Sequence, residues 1–139
     1  MTEILFYITD KAGDGVQTAL AWRIAEKAWR QGRRIYVHCG DAAQARGVDE
    51  AFWRHPATGF LPHEPAGPEA ASPVLVGHGD DPEGHHDVMI NLAATVPDFA
   101  TRFERVAEMI TGDPDLREAG RARFRFYRER GFDIQSHRL

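Results

Sequence analysis

Short apolar runs alternate along the chain with longer segments in which apolar and polar positions are mixed. The first run, EILFYI, begins at residue 3, and three runs of similar length follow it. Apolar runs of roughly four to eight residues bounded by turn-forming residues are typical of buried strands. The pattern therefore predicts four strands, at residues 3–8, 33–39, 72–77 and 86–92.

The segments between these runs carry apolar side chains at helical spacing. In the first of them Leu20, Ile24 and Ala28 fall on one helix face. Asp41 and Asp113 precede two further segments and are of the residue type that caps helix N-termini. The pattern predicts helices at residues 15–32, 41–56, 97–110 and 113–131.

Strands that alternate with helices favour an α/β fold with a mainly parallel sheet, because parallel neighbours need a crossover connection. A chain of 139 residues has the length of one domain, and we expect a single domain over residues 1–139. The stretch at 59–73 is rich in proline and glycine, and we expect it to be exposed and mobile. Folds of this class often bind nucleotides, but Thr18 stands where a dinucleotide fingerprint needs glycine, so we expect no cofactor.

Charge is divided unevenly along the chain. The net charge is −4, yet residues 116–139 hold seven arginines against three acidic side chains, a local charge of +4 that leaves −8 on residues 1–115. An acidic body with a small cationic face suits an acidic protein segment better than a nucleic acid, and we expect no nucleic-acid contact of consequence. Cys39 is the single cysteine, and no apolar run reaches the roughly 20 residues of a membrane span. With no leader-like start, the sequence favours a cytoplasmic protein.

The last predicted helix places most of its arginines on one side. At about 100° per residue, one sector contains four arginines and one aromatic ring, namely Arg117, Arg121, Phe124, Arg125 and Arg128. The sector is either a solvated face or a binding surface for an acidic peptide that ends in an aromatic residue. Arg123 and Arg130 fall on the apolar side of this helix, where we expect their stems to lie along apolar surface while their charges reach water.

Two segments offer candidate catalytic chemistry. Cys39 ends a predicted strand just before a helix, where a thiolate nucleophile can be stabilised, although a phosphatase-type loop would need arginine at Ala45 rather than at Arg46. The alternative is a small buried side chain. The loop at 78–87 contains seven residues of metal-ligating types and is either a weak metal site or a solvated loop; they are His78, Asp80, Asp81, Glu83, His85, His86 and Asp87. A small thiol hydrolase or metalloenzyme is thus the alternative to a binding protein.

Several segments resemble one protein family in the same order along the chain. The most specific is VDEAFWRHPATGFLPH at residues 48–63, and others are FYITD, AEKAWRQGRRIYVHC, HDVMINL, PDFATRFERV and ARFRFYRERGF. The chain is similar over essentially its full length to the chi subunit of bacterial DNA polymerase III, an accessory protein of the clamp loader. The resemblance implies an α/β binding module that is not an enzyme, needs no cofactor and is a monomer outside its complex.

The resemblance also implies a first partner, the acidic C-terminal tail of single-stranded DNA-binding protein. The family's tail-binding positions match Arg117, Arg121, Phe124 and Arg125, with Ile110 on the preceding predicted helix lining the apolar part. Arg128 is added to this set only because its helical spacing places it in the same sector. The implied role is to tether the polymerase complex to coated single-stranded DNA.

A second surface is implied for the psi subunit of the clamp loader or, in competition with it, an XPD-like helicase. The matching residues are Trp53 and Phe60, with Pro62 and His63 beside them. From the residues alone, both aromatic rings are equally consistent with core positions that close off the sheet. Large aromatic rings in a polar loop are also typical of interface hot spots.

Overall fold

The computed structural model describes residues 1–54 and 60–139, which form one parallel sheet with helices on both faces. Its seven strands lie in the order β3-β4-β2-β5-β6-β1-β7, and every neighbouring pair is parallel. The predicted α/β fold with a mainly parallel sheet is confirmed. The elements in chain order are β1 (Glu3–Ile8), α1 (Val16–Arg30), β2 (Ile35–Cys39), α2 (Ala42–Arg54), β3 (His63–Pro65), β4 (Val74–His78), β5 (Val88–Asn91), β6 (Arg105–Ile110), α3 (Pro114–Glu129) and β7 (Asp133–Arg138).

Side chains of alternate strand residues build one apolar cluster on each face of the sheet. Helices α1 and α2 cover one face, where Val37 and Cys39 of β2 are fully buried. Helix α3 covers the other face, where Phe6 and Tyr127 are buried. Complete burial of a large apolar side chain contributes roughly 1.5–3 kcal/mol relative to exposure, so both clusters stabilise the sheet.

The four predicted strands and three of the four predicted helices are confirmed within a few residues of their bounds. The carboxylate of Asp41 caps α2, since its Oδ1 accepts a hydrogen bond of 2.8 Å from the amide of Gln44. The predicted end of α2 at Pro56 lies outside the described residues.

The helix predicted at 97–110 is wrong. A short 3₁₀ turn at Ala100–Arg102 leads instead into β6, which pairs with β5 on one side and β1 on the other. Phe99, Phe103 and Val106 do have helical spacing, but a strand in mid-sheet is buried on both faces and needs no alternation of polar residues. Short apolar runs of this kind fit a helix and a buried strand equally well.

Two edge strands were not predicted. The connection at 59–73, expected to be exposed and mobile, contains β3 within its described part and buries Leu61 and His63. At the opposite edge β7 has the sequence DIQSHR, whose polar side chains give no strand signal because both of its faces are largely exposed. A proline in β3 is compatible with an edge position, where its missing N–H costs no ladder hydrogen bond.

Candidate peptide-binding surface

A tight crossing of two loops sets the start of α3. A Cβ atom on Gly112 would lie 2.2 Å from the carbonyl oxygen of Asp10, so any side chain there is excluded. The amide of Gly112 donates a hydrogen bond of 2.7 Å to the carbonyl of Lys11. Asp113 occupies the N-cap position without capping α3, because its carboxylate accepts a hydrogen bond from the amide of Gly13 instead. These contacts hold the first turn of α3 against the loop that follows β1.

Helix α3 also approaches β6 closely at Gly120. A Cβ atom at this position would lie 2.8 Å from Cγ1 of Ile110, which explains a glycine in a helix interior. Ile110 is half-buried and ends β6, so the expectation that it lies on a preceding helix is wrong. Its position beside α3 nevertheless makes it an apolar neighbour of the helix.

A buried polar network joins the inner side of α3 to the sheet. Glu108 of β6 is 0% exposed and accepts hydrogen bonds from Arg123 Nε at 2.7 Å, Tyr127 Oη at 2.6 Å and Asn91 Nδ2 at 2.9 Å. Burial raises the pKa of Glu108, and the Arg123 guanidinium opposes that rise. The guanidinium also donates to the carbonyl oxygens of Ala94 and Met109.

The network corrects the expectation that Arg123 reaches water along an apolar surface. Arg123 is buried, and its charge is neutralised inside the interface between α3 and β6. Arg130 fits that expectation better, because it is exposed and its guanidinium lies 3.6 Å from the centre of the Phe126 ring. The two arginines therefore have different roles on the same side of the helix.

The outer side of α3 presents the predicted arginine sector to solvent. Arg121, Arg125 and Arg128 are exposed and, within residues 1–54 and 60–139, form no ion pair or hydrogen bond through their side chains. Arg117 is half-buried, and its Nε donates a hydrogen bond of 3.4 Å to the carbonyl of Thr111. The structure thus brings the predicted cations together and leaves most of their donors free for a ligand.

Phe124 lies at the border between this sector and the core. The ring is half-buried and packs on the Phe6 ring of β1 at a centroid distance of 5.1 Å. An aromatic ring supported from below by the core offers a ligand an apolar surface that needs no further ordering. Guanidinium groups beside it can bind carboxylates through paired hydrogen bonds. The arrangement suits a peptide with acidic and aromatic residues.

The residues of the second predicted surface lie close together. Trp53 is 56% exposed and Phe60 is 63% exposed, with their ring centroids 6.2 Å apart, so neither is a core residue. Pro62 beside them is half-buried. His63 is buried and lies 4.0 Å below the Trp53 ring, centroid to centroid. It therefore supports the exposed ring from within the fold.

The features that favoured an enzyme have a different geometry. Cys39 is 0% exposed, and burial raises its pKa to about 12, which disfavours a thiolate at neutral pH. In the 78–87 loop, His85 is buried against the carbonyl of Ser72, and Asp81 forms an ion pair with Arg102. The loop side chains thus do not converge on one point. His86 and Asp87 do meet Glu104 from outside the loop, within 4.8 Å, but Arg33 lies 3.6 Å from Glu104 and competes with a cation.

Sequence reasoning missed three residues of this region. Glu108 lies in a segment that was predicted to be helical, and its burial depends on that segment being a strand. Asp10 and Arg138 form an ion pair beside α3 although they are 128 positions apart, and no local pattern indicates such a pair.

Among the described residues, no helix combines the length and the apolar character that crossing a membrane requires.

Fold and surface together describe an α/β domain that presents a cationic face at one side and an exposed aromatic pair at another. The family model described as DNA polymerase III chi subunit, HolC, matches residues 1–135. The chain is 43% identical to the DNA polymerase III subunit chi of Pseudomonas aeruginosa over 139 residues, which covers 100% of this chain and 98% of that protein. The chain therefore belongs to the DNA polymerase III chi subunit family.

More distant relatives agree. The subunit chi of Escherichia coli is 33% identical over 143 residues, covering 98% of this chain and 97% of that protein. That of Haemophilus influenzae is 26% identical over 137 residues, covering 96% and 95%. The resemblance found in the sequence motifs is confirmed over the whole chain. The family consists of accessory subunits of a replicative polymerase, and the names of these relatives indicate no catalytic activity.

Proposed function

We propose that this protein is a non-catalytic accessory subunit of the DNA polymerase III holoenzyme that binds the acidic C-terminal tail of single-stranded DNA-binding protein and links it to the clamp loader. The observation that carries the proposal is the outer face of α3. There Arg121, Arg125 and Arg128 are exposed and, among the residues that the structure describes, unpaired, and they lie next to the half-buried ring of Phe124. Four arginines so close together repel one another, and an anionic ligand relieves that repulsion.

The chemistry of the tail matches the chemistry of this face. Acidic side chains and a terminal carboxylate accept two-point hydrogen bonds from guanidinium groups. An aromatic residue of the tail packs on Phe124 and Ile110, both of which are half-buried against the core beside α3. Charge attraction speeds the encounter and makes the affinity sensitive to salt.

The aromatic pair at Trp53 and Phe60 serves as the second surface and binds the psi subunit or an XPD-like helicase. It lies beside β3, whereas the arginine face lies toward the other end of the sheet, at β1 and β7. Six strand spacings separate β3 from β7, about 29 Å at 4.8 Å per spacing. Two partners can therefore bind at once, as a linking role requires.

The linking role works through many weak contacts. We expect a single tail to bind with micromolar affinity, about −8 kcal/mol. Single-stranded DNA-binding protein displays several tails, and a polymerase complex that carries this subunit gains from their high local concentration. The contacts exchange readily, so the complex can move along coated DNA.

The proposal is tested by titrating a labelled acidic peptide that ends in phenylalanine into the wild-type protein and into Arg121→Glu. Arg23→Glu is the matched control. Arg23 is exposed on α1, which covers the opposite face of the sheet, and the substitution changes the net charge by the same amount. We expect salt-dependent binding by the wild type and the control and a loss of at least tenfold in Arg121→Glu. Equal binding by both variants, or a complex that survives 1 M salt, would refute the electrostatic account.

The same titration separates the two surfaces. Trp53→Ala is expected to bind the peptide as the wild type does, since Trp53 lies near the β3 edge. The variant is expected to lose capture of purified psi subunit, which Arg121→Glu retains. Loss of peptide binding in Trp53→Ala would instead place the tail on the aromatic pair.

A further inference from the structure

Asp10 lies between two arginines that come from different elements. Its Oδ1 is 3.3 Å from Nη1 of Arg138, at the end of β7, and 3.9 Å from Nη2 of Arg117, in the first turns of α3. The Asp10 side chain is 82% exposed, so solvent or a ligand can reach all three groups. One carboxylate therefore connects the predicted arginine sector to an arginine that the sector does not include.

The register of the sheet places Arg138 on the same face as α3. Arg138 pairs with Ile8 of β1, and Ile8 pairs in turn with Ile110 of β6. Successive residues of β7 point to opposite faces, and Ile134 belongs to the apolar cluster under α3. Arg138 is four positions later and so lies on that face too, in a row with Ile8 and Ile110.

The orientation of α3 directs its arginine sector toward the β7 edge of the sheet. Arg123 points toward Glu108 of β6, and Phe124 lies over Phe6 of β1. The next sector around the helix, which contains Arg121 and Arg128, therefore faces the β7 side. The arginines of this sector and Arg138 therefore lie toward the same edge of the sheet, and Asp10 connects the two groups through Arg117 and Arg138.

We propose that Arg138 is an additional carboxylate-binding residue of the acidic-peptide site and that Asp10 is an internal competitor which the peptide displaces. This inference rests on the proposed function. In the free protein the Asp10 carboxylate occupies Arg117 and Arg138 and repels an approaching acidic peptide. On binding, a peptide carboxylate takes its place between the two guanidinium groups. Displacement costs little because ion pairs at exposed positions are weak.

The test is a peptide titration with single and double variants. Asp10→Asn is expected to bind the peptide about threefold more tightly, and Arg138→Gln about threefold more weakly, as befits exposed ion pairs. In the Arg138→Gln background the gain from Asp10→Asn is expected to shrink, since one of the two masked arginines is gone. Asp133→Asn is the matched control, because Asp133 is exposed at the opposite end of β7 and carries the same charge.

The outcomes separate this inference from the function on which it rests. If Asp10→Asn and Asp133→Asn change the affinity equally, the effect is one of net charge, and the competitor role is overturned. If Arg138→Gln binds as the wild type does while Arg121→Glu does not bind, the site does not extend to β7, although the proposed function stands. If the wild type itself fails to bind the peptide, the proposed function falls and this inference with it.

Discussion

The guanidinium of Arg123 donates a hydrogen bond of 2.7 Å to the carboxylate of Glu108 in a site that solvent does not reach. The pair fixes the inner side of α3 on β6, and the outer side of the same helix then presents its arginines at a defined angle. One arginine of α3 thus holds the surface in place while its neighbours in sequence form the surface.

Removal of Arg123 is expected to destabilise the fold strongly. Arg123→Ala leaves the fully buried Glu108 carboxylate without its counter-charge, and breaking a buried pair in this way costs about 3–5 kcal/mol. Arg128→Ala, at an exposed position of the same helix, is expected to change the free energy of unfolding by no more than about 0.5 kcal/mol. Urea unfolding of both variants measures the difference. Similar values for the two would show that the buried pair does not hold α3.

Two glycines in helix interiors are expected to respond in opposite directions to alanine. Gly47→Ala should stabilise α2 by up to about 1 kcal/mol, because a Cβ atom there would meet no atom of the described residues within 4 Å. Gly120→Ala should destabilise the protein by about 1–3 kcal/mol, since its Cβ would collide with Ile110. Thermal unfolding distinguishes the two signs. Stabilisation by both would mean that α3 is not seated closely on β6.

The residues around the buried pair of Arg123 and Glu108 show what the sequence could and could not predict. The arginine sector followed from helical periodicity, because an exposed helix face is set by local spacing. The role of Glu108 could not be predicted, because the apolar residues around it fit a helix as well as a strand buried on both faces. Arg123 was misjudged for the same reason, since its partner lies on that strand.

The edge strands of the sheet could not be predicted from local sequence patterns for a related reason. Strand β7 is polar on both faces, and its pairing with β1 depends on residues some 130 positions away, Glu3 with Asp133 among them. The ion pair of Asp10 and Arg138 exists only through that pairing. The exposure of Trp53 and Phe60 was open from the sequence, since large aromatic rings are found both in cores and at interfaces.

Folding stability is expected to fall as the pH drops below neutral. Burial lowers the pKa values of His38 and His85 below the ordinary 6.5, so the unfolded chain takes up protons that the folded chain does not. The contribution of the two neutral histidines to the free energy of unfolding is therefore fully present above about pH 6.5. It is lost as the pH falls toward their lowered pKa values, by at most about 1.4 kcal/mol per pH unit for each histidine. Urea unfolding between pH 8 and pH 5 measures the slope.

A variant identifies the groups responsible for this pH dependence. His85→Gln replaces one of the two titrating rings with a neutral side chain, and we expect a shallower slope. Stability that stays constant from pH 8 to pH 5 in the wild type would contradict the buried, neutral state of both rings.

Cys39 is expected to resist alkylation in the native protein. Its thiol is buried, and its pKa of about 12 leaves almost no thiolate at neutral pH. Iodoacetamide at pH 7.5 should modify the native chain far more slowly than the chain in urea, as mass spectrometry can follow. Equally rapid modification in both states would revive the thiol hydrolase alternative.

The most direct test of the account is to map where the acidic peptide binds. Isotope-labelled protein is titrated with the unlabelled peptide, and the changes in backbone amide chemical shifts are recorded along the chain. The account predicts that the largest changes fall on the outer face of α3, at Ile110 and at the end of β7. Changes centred on Trp53 and Phe60, with the amides of α3 unaffected, would contradict it.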